Sequence, residues 1–99
     1  MESDEKKLAA DCIAGDLQAS RKLYDLYAGK LFAICLRYTS DRMEAEDVLQ
    51  DAFIKIFENI KQFRSEGSLE GWLKRIVVNT AIKQYHKRNY KYLYPVINI

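Results

Sequence analysis

Proline, histidine and tryptophan each occur once in these 99 residues, beside four glycines and two cysteines. So little Pro and Gly excludes a collagen-like repeat and a low-complexity chain. Cys12 and Cys35 lie in apolar-periodic segments with no C-x-x-C. With a single His they cannot assemble a structural zinc site of about four N/S ligands. Buried free thiols are the expected use of both, rather than a disulfide. No run of roughly 18 apolar residues exists to span a bilayer. Residues 1–7 carry charges of both signs with no apolar stretch after them, so no secretory signal is expected. G-x-x-x-x-G-K-[ST] is missing, as is a G-x-G-x-x-G following a strand. His86 has no partner at a spacing that would build a triad. The expectation is a cytoplasmic single domain without catalysis, metal or other cofactor.

What is present is 48% hydrophobic, 30% charged and 12% aromatic, enough for one core. The net charge of +2 conceals a division. Residues 1–60 hold eight Lys/Arg against twelve Asp/Glu, a net of −4, whereas residues 61–99 hold eight against two, a net of +6. A basic segment attracts phosphates. Here it also carries Phe63, Trp72, Tyr85, Tyr90, Tyr92 and Tyr94. Cations interleaved with rings offer single-stranded nucleic acid both charge neutralisation and flat faces for bases.

The apolar periodicity is helical throughout. Leu8, Ala9, Cys12 and Ile13 form one stripe that Gly15 ends. Asp16 can cap a second helix bearing Leu17, Leu23, Leu26, Tyr27, Leu31, Ile34, Cys35 and Tyr38. Asp41 with Glu44 three residues on is a capping-box pattern. It opens a third helix whose apolar face is Val48, Leu49, Ala52, Phe53, Ile56, Phe57 and Ile60. Residues 61–67 read as a loop. Ser68 then caps a fourth helix to about Tyr90, with Leu69, Trp72, Leu73, Ile76, Val77 and Ile82 buried. Pro95 argues for an extended end. The expected fold is all-α, a compact bundle of about four helices, with a domain at 1–90 and the start of a linker or tail at 91–99.

From Ala45 to Arg88 the chain runs AEDVLQDAFIKIFENIKQFRSEGSLEGWLKRIVVNTAIKQYHKR. This resembles region 2 of the extracytoplasmic-function (ECF) sigma factors, the subunits that let bacterial RNA polymerase find and open promoters. Three signals coincide in order: D-x-x-Q-[DE] with an aromatic-rich continuation, a short F-R loop, and W-L-x-R-I-x-x-N-T-A opening into a basic helix. A weaker match of residues 4–44 extends the resemblance to about Asn89. The family's helix-turn-helix half, which reads the −35 element, has no counterpart in these residues, so a fragment or a shortened relative is expected.

The resemblance implies that the helix over Asp41–Ile60 docks on the clamp helices of the polymerase β′ subunit. The positions it carries over are Asp47, Gln50 and Asp51, with Phe53 and Phe57 as further contacts. Residues 47, 50 and 51 share a helix face, where acids and an amide can pair with Arg on a partner helix. Phe53 and Phe57 also lie on the apolar stripe, which favours the core for both. The loop with Phe63, Arg64 and Ser65 matches the segment that captures a base flipped from the non-template strand of the −10 element. Loop amides uncommitted to a helix ladder can read a base edge, and stacking offsets the cost of flipping. Phe63 can stack or plug the junction between helices. Asn79 matches a residue facing the melted strand, and Asn is a poor mid-helix residue. Arg75, Lys83, Gln84, Lys87 and Arg88 belong to the basic helix, where 83/87 and 84/88 stand one turn apart and can follow a phosphate backbone. Trp72 is a family hallmark whose expected job is packing.

Two departures bear on the captured base. Many members have F-R-G-[ED]-[SA], whereas this chain has Phe63-Arg64-Ser65-Glu66-Gly67, and Gly71 replaces the usual Thr before the Trp. The expected partners are the polymerase core, promoter DNA and an anti-sigma factor, with no membrane. Two other readings remain at this point: a helical domain that reads duplex DNA, and an interaction module bound by an anti-sigma-type regulator.

Overall fold

The computed structural model describes residues 4–64 and 66–97, with side chains described as far as Arg88. Four helices follow one another: α1 (Asp4–Ile13), α2 (Leu17–Arg37), α3 (Arg42–Asn59) and α4 (Leu69–Ile97). A 3-10 turn at Ile60–Gln62 continues α3. Among the described residues there is no strand, so the all-α expectation holds.

The starts of α2, α3 and α4 have local causes. Asp16 accepts from the Gln18 amide at 2.9 Å, and Asp41 accepts from the Glu44 amide at 2.8 Å. Glu44 reaches back to the Ser40 amide at 3.0 Å, one residue before the cap, so the box closes on the turn itself. Ser68 accepts from the Gly71 amide at 2.9 Å. This explains Gly71, because a Cβ there would stand 2.9 Å from that capping hydroxyl. Glu5 on α1 accepts from the Glu70 amide at 3.1 Å, satisfying a second orphan donor of α4 from the far end of the chain. Gly15 ends the first helical segment at φ 89, a left-handed conformation open to glycine at little cost.

The core is a triangle of α2, α3 and α4, with α1 laid against α2 and the 3-10 turn. Leu23, Leu31 and Cys35 of α2 meet Val48, Ala52 and Ile56 of α3 and Leu73, Val77 and Ala81 of α4. Both cysteines are free and buried. Glu70 accepts from Lys30 at 3.0 Å, while Arg37 and Tyr38 share a cleft with Ile82, so α2 and α4 run in the same direction. Asp51 meets Gln84 and Glu44 meets Arg88, so α3 runs against α4.

Several expectations about burial are corrected. Ile82 is exposed, and Thr80 and Ala81 are buried instead. Small side chains suit a close helix approach, and the Thr80 hydroxyl is satisfied by donating to the Ile76 carbonyl at 2.7 Å. Leu17 and Leu26 of α2 and Tyr38, its C-cap, also face outward. The fourth helix does not stop near Tyr90 before an extended end; α4 continues to Ile97 with Pro95 inside it. Proline's fixed φ is compatible with a helix, and near a terminus it removes one hydrogen bond rather than interrupting a long ladder.

Candidate nucleic-acid and partner interface

The 3-10 turn delivers the chain into the loop before α4, and the Phe63 amide closes that turn on the Ile60 carbonyl at 3.1 Å. The Phe63 ring is buried and tilted against Trp72, with centroids 5.6 Å apart. It therefore plugs the junction while one edge joins the wall of an open cleft of 480 Å³. Arg64, Glu66 and Gly67 form one side of that cleft, and Gly71, Trp72 and Arg75 the other. Ser65 lies outside the described residues. Arg64 and Arg75 are exposed, and among the described residues neither is in an ion pair.

Leaving the cleft along α4, Trp72, Arg75, Asn79 and Lys83 follow one another at helical spacing. Asn79 and Lys83 are both exposed. Gln84 and Arg88 turn the other way. Gln84 donates to the Asp51 carboxylate, and Arg88 Nη1 donates to Glu44 Oε2 at 2.5 Å. The basic residues expected along one edge are thus split: Lys83 and Lys87 stay in solvent, while Gln84 and Arg88 brace α4 against α3.

The outer face of α3 holds Asp47, Gln50 and Asp51, all exposed. Phe53 is buried, between Tyr24 at 4.6 Å and Phe57 at 5.9 Å. Phe57, expected in the core, is instead 37% exposed. Two residues that the sequence reading missed share the face, Met43 at 74% and Ile54 at 53% exposure. The signal was available, since 43, 47, 50, 54 and 57 repeat every three to four residues on the side opposite Val48, Ala52 and Ile56. Such a seam of apolar side chains with an acid and an amide at its centre fits a partner helix.

The acidic and basic residue sets do not occupy opposite sides of the bundle. Asp47, Gln50 and Asp51 line a cleft of 330 Å³ together with Gln84, Lys87 and Arg88. On the α2 side of α4, Glu70 receives hydrogen bonds from Lys30 and Lys74, which hold its carboxyl below the usual range. Among the described residues no His, Cys, Asp or Glu cluster could hold a metal ion. Among the same residues no helix is long and apolar enough to cross a membrane.

Comparison with known proteins agrees with this geometry. The family described as sigma-70 region 2 matches residues 23–90. The ECF RNA polymerase sigma factor SigW of Bacillus subtilis is 34% identical over 92 residues, covering 93% of this chain and 49% of the relative. The ECF RNA polymerase sigma-E factor of Haemophilus influenzae is 42% identical over 67 residues, covering 68% of this chain and 35% of the relative. The chain thus spans half or less of the length of these curated relatives. A solved structure, the NMR complex of an engineered region 2 of sigmaE with GTAAAA, superposes with a TM-score of 0.82 at 28% identity. That alignment covers 91% of this chain and 97% of the other. A match over two thirds of the sequence, on a bundle whose helices superpose on region 2, places this chain in the sigma-70 region 2 family, among the ECF sigma factors.

Proposed function

We propose that the chain serves as the promoter-recognition region of a sigma factor. It would dock on the β′ clamp helices of RNA polymerase and hold the melted −10 element. The observation that carries the reading is the open cleft at the start of α4, where two arginines without carboxylate partners flank the exposed part of a Phe63–Trp72 wall. A base displaced from the duplex can enter beside these rings while Arg64 and Arg75 meet its phosphates. Ser65, on the same loop, would add a polar contact, Asn79 would face the melted strand, and Lys83 and Lys87 would follow the phosphate backbone of the adjoining duplex. Melting here is binding: a site that accepts only an unpaired base shifts the duplex equilibrium towards open DNA. The engineered relative's complex with GTAAAA supports this reading.

Docking would use the outer stripe of α3. Asp47, Gln50 and Asp51 would pair with basic side chains of the clamp helices, and Met43, Ile54 and Phe57 would supply the apolar anchors. Phe53 supports Phe57 from beneath rather than touching the partner. Gln84 and Arg88, held against α3, would stiffen the junction of the two surfaces and reach DNA with their remaining donors. An anti-sigma factor would act by covering the α3 stripe, and polymerase binding would place the chain in the cytoplasm.

Paired titration with a β′ clamp-helix fragment and with single-stranded −10 oligonucleotides tests both halves. Gln50→Ala and Asp51→Arg should abolish the first interaction and spare the second, whereas Arg64→Ala with Arg75→Ala should do the reverse. Failure of the wild-type chain to bind either ligand at moderate salt overturns the reading.

A further inference from the structure

A second cleft, of 680 Å³, opens beyond the C-terminal end of α2, between the α2–α3 turn and α4. Its walls combine Tyr38, Ile82 and Tyr85 with Arg37, His86 and Arg88. Apart from Arg88, none of these residues has a role in the reading above. The side chains of Tyr38, Ile82 and Tyr85 are 39%, 40% and 51% exposed. Ile82 and Tyr85 follow Arg75 and the half-buried Val78 at helical spacing, so one row on α4 runs from the loop cleft to this one. The thirteen helical steps from Trp72 to Tyr85 span about 20 Å, at about 1.5 Å rise per residue.

Charge identifies the occupant. Among the described residues the one carboxylate in the cleft, Glu44, is paired with Arg88, which leaves Arg37 uncompensated. Along the row, Lys30 and Lys74 share the single carboxylate of Glu70, leaving a further net positive charge. Exposed ring faces beside an unneutralised guanidinium suit a nucleotide, because every base has a face to stack and every nucleotide brings a phosphate. We propose that this cleft is a second nucleotide subsite, holding a base of the same single strand whose flipped base occupies the loop cleft. The proposal rests on the promoter-recognition reading and extends it. Tyr38 and Tyr85 provide the stacking surface, Ile82 the floor and Arg37 the phosphate contact.

The test uses the 99-residue chain and two fluorescent single-stranded oligonucleotides, one just long enough for the loop cleft and one longer by about 20 Å of strand, matching the span along α4. The longer should bind about 10-fold tighter, the increment of one additional stacked base. Tyr38→Ala with Tyr85→Ala should remove that gain and leave the short oligonucleotide unaffected, with circular dichroism showing the helices retained. Tyr85→Phe should keep the gain, and Arg37→Ala should lower the salt slope for the long oligonucleotide alone by about 0.7. Equal affinity for both lengths, or a gain that survives both alanine changes, overturns the subsite while leaving the loop reading intact. Loss of short-oligonucleotide binding in the wild type overturns the loop reading itself. Protection of the Tyr85 ring signals by the clamp-helix fragment, and not by DNA, overturns the subsite in favour of a protein occupant.

Discussion

Gln84 donates its side-chain amide to the Asp51 carboxylate across the boundary of α3 and α4, and one turn further along α4 Arg88 reaches Glu44 at 2.5 Å. These contacts join the helix proposed to meet the polymerase with the helix proposed to meet DNA. Arg88 and Glu44 are partly shielded from water, so Arg88→Ala should cost about 1 kcal/mol, within the range for charge-assisted bonds after screening. Urea unfolding measures it, and a double-mutant cycle with Glu44→Gln isolates the coupling. An unchanged midpoint in Arg88→Ala would leave that residue without a bracing role.

The thiols give a prediction of chemical reactivity. Burial pushes the Cys35 thiol up from 9.0 to about 11, and burial also raises Cys12, with Asp11 and Asp16 adding to the effect against a lowering hydrogen bond from Ser20. At about pH 8 the Cys35 thiolate should be about 100-fold scarcer than that of a free cysteine. Ellman's reagent should label native protein slowly and denatured protein at once. The folded state keeps a proton that the unfolded chain releases. The contribution of Cys35 to stability is therefore complete below pH 9.0 and declines as pH rises towards about 11. Fast labelling of both thiols in the native protein would contradict their burial.

Two glycines should respond to alanine with opposite signs. Gly15 sits at φ 89, where a Cβ meets its own backbone, so Gly15→Ala should destabilise by about 1–2 kcal/mol. Gly29 lies inside α2 with nothing within 4 Å of a new Cβ, so Gly29→Ala should stabilise by up to about 1 kcal/mol. Thermal unfolding reads both as shifts of roughly 4–8 °C per kcal/mol for a domain of this size.

Lys83 is exposed and has no carboxylate partner among the described residues. Lys83→Glu should weaken binding of a promoter duplex carrying a melted −10 bubble and flatten its dependence on salt, by about 0.9 per lost duplex phosphate contact. Titration across a salt series, with the clamp-helix fragment as the unaffected control, checks it. A salt slope identical to wild type would remove Lys83 from the path of the DNA.

Much of the candidate site was legible because its residues are defined by type and local spacing. Asp47, Gln50 and Asp51 follow from one helix face, and the cleft of Arg64, Trp72 and Arg75 from a loop joined to the turn after it. What local spacing could not give was the partner of each side chain. Gln84 and Arg88 stand one turn apart just as Lys83 and Lys87 do, yet only the first pair meets carboxylates, because α3 runs antiparallel beside that edge alone. The Tyr38–Ile82–Tyr85 cleft joins residues more than forty positions apart, so periodicity within either helix could not reveal it.

The amino-acid order alone determined where helices begin and that the chain folds as all-α, since Asp16, Asp41 and Ser68 satisfy backbone donors within three residues of themselves. The tertiary structure decided which of several apolar residues each helix buries. A helix presents Ala81 and Ile82 to directions about 100° apart, and only the closeness and angle of its neighbours select one for the core. Close packing against α2 and α3 took the smaller side chain, and Ile82 was left in the second cleft.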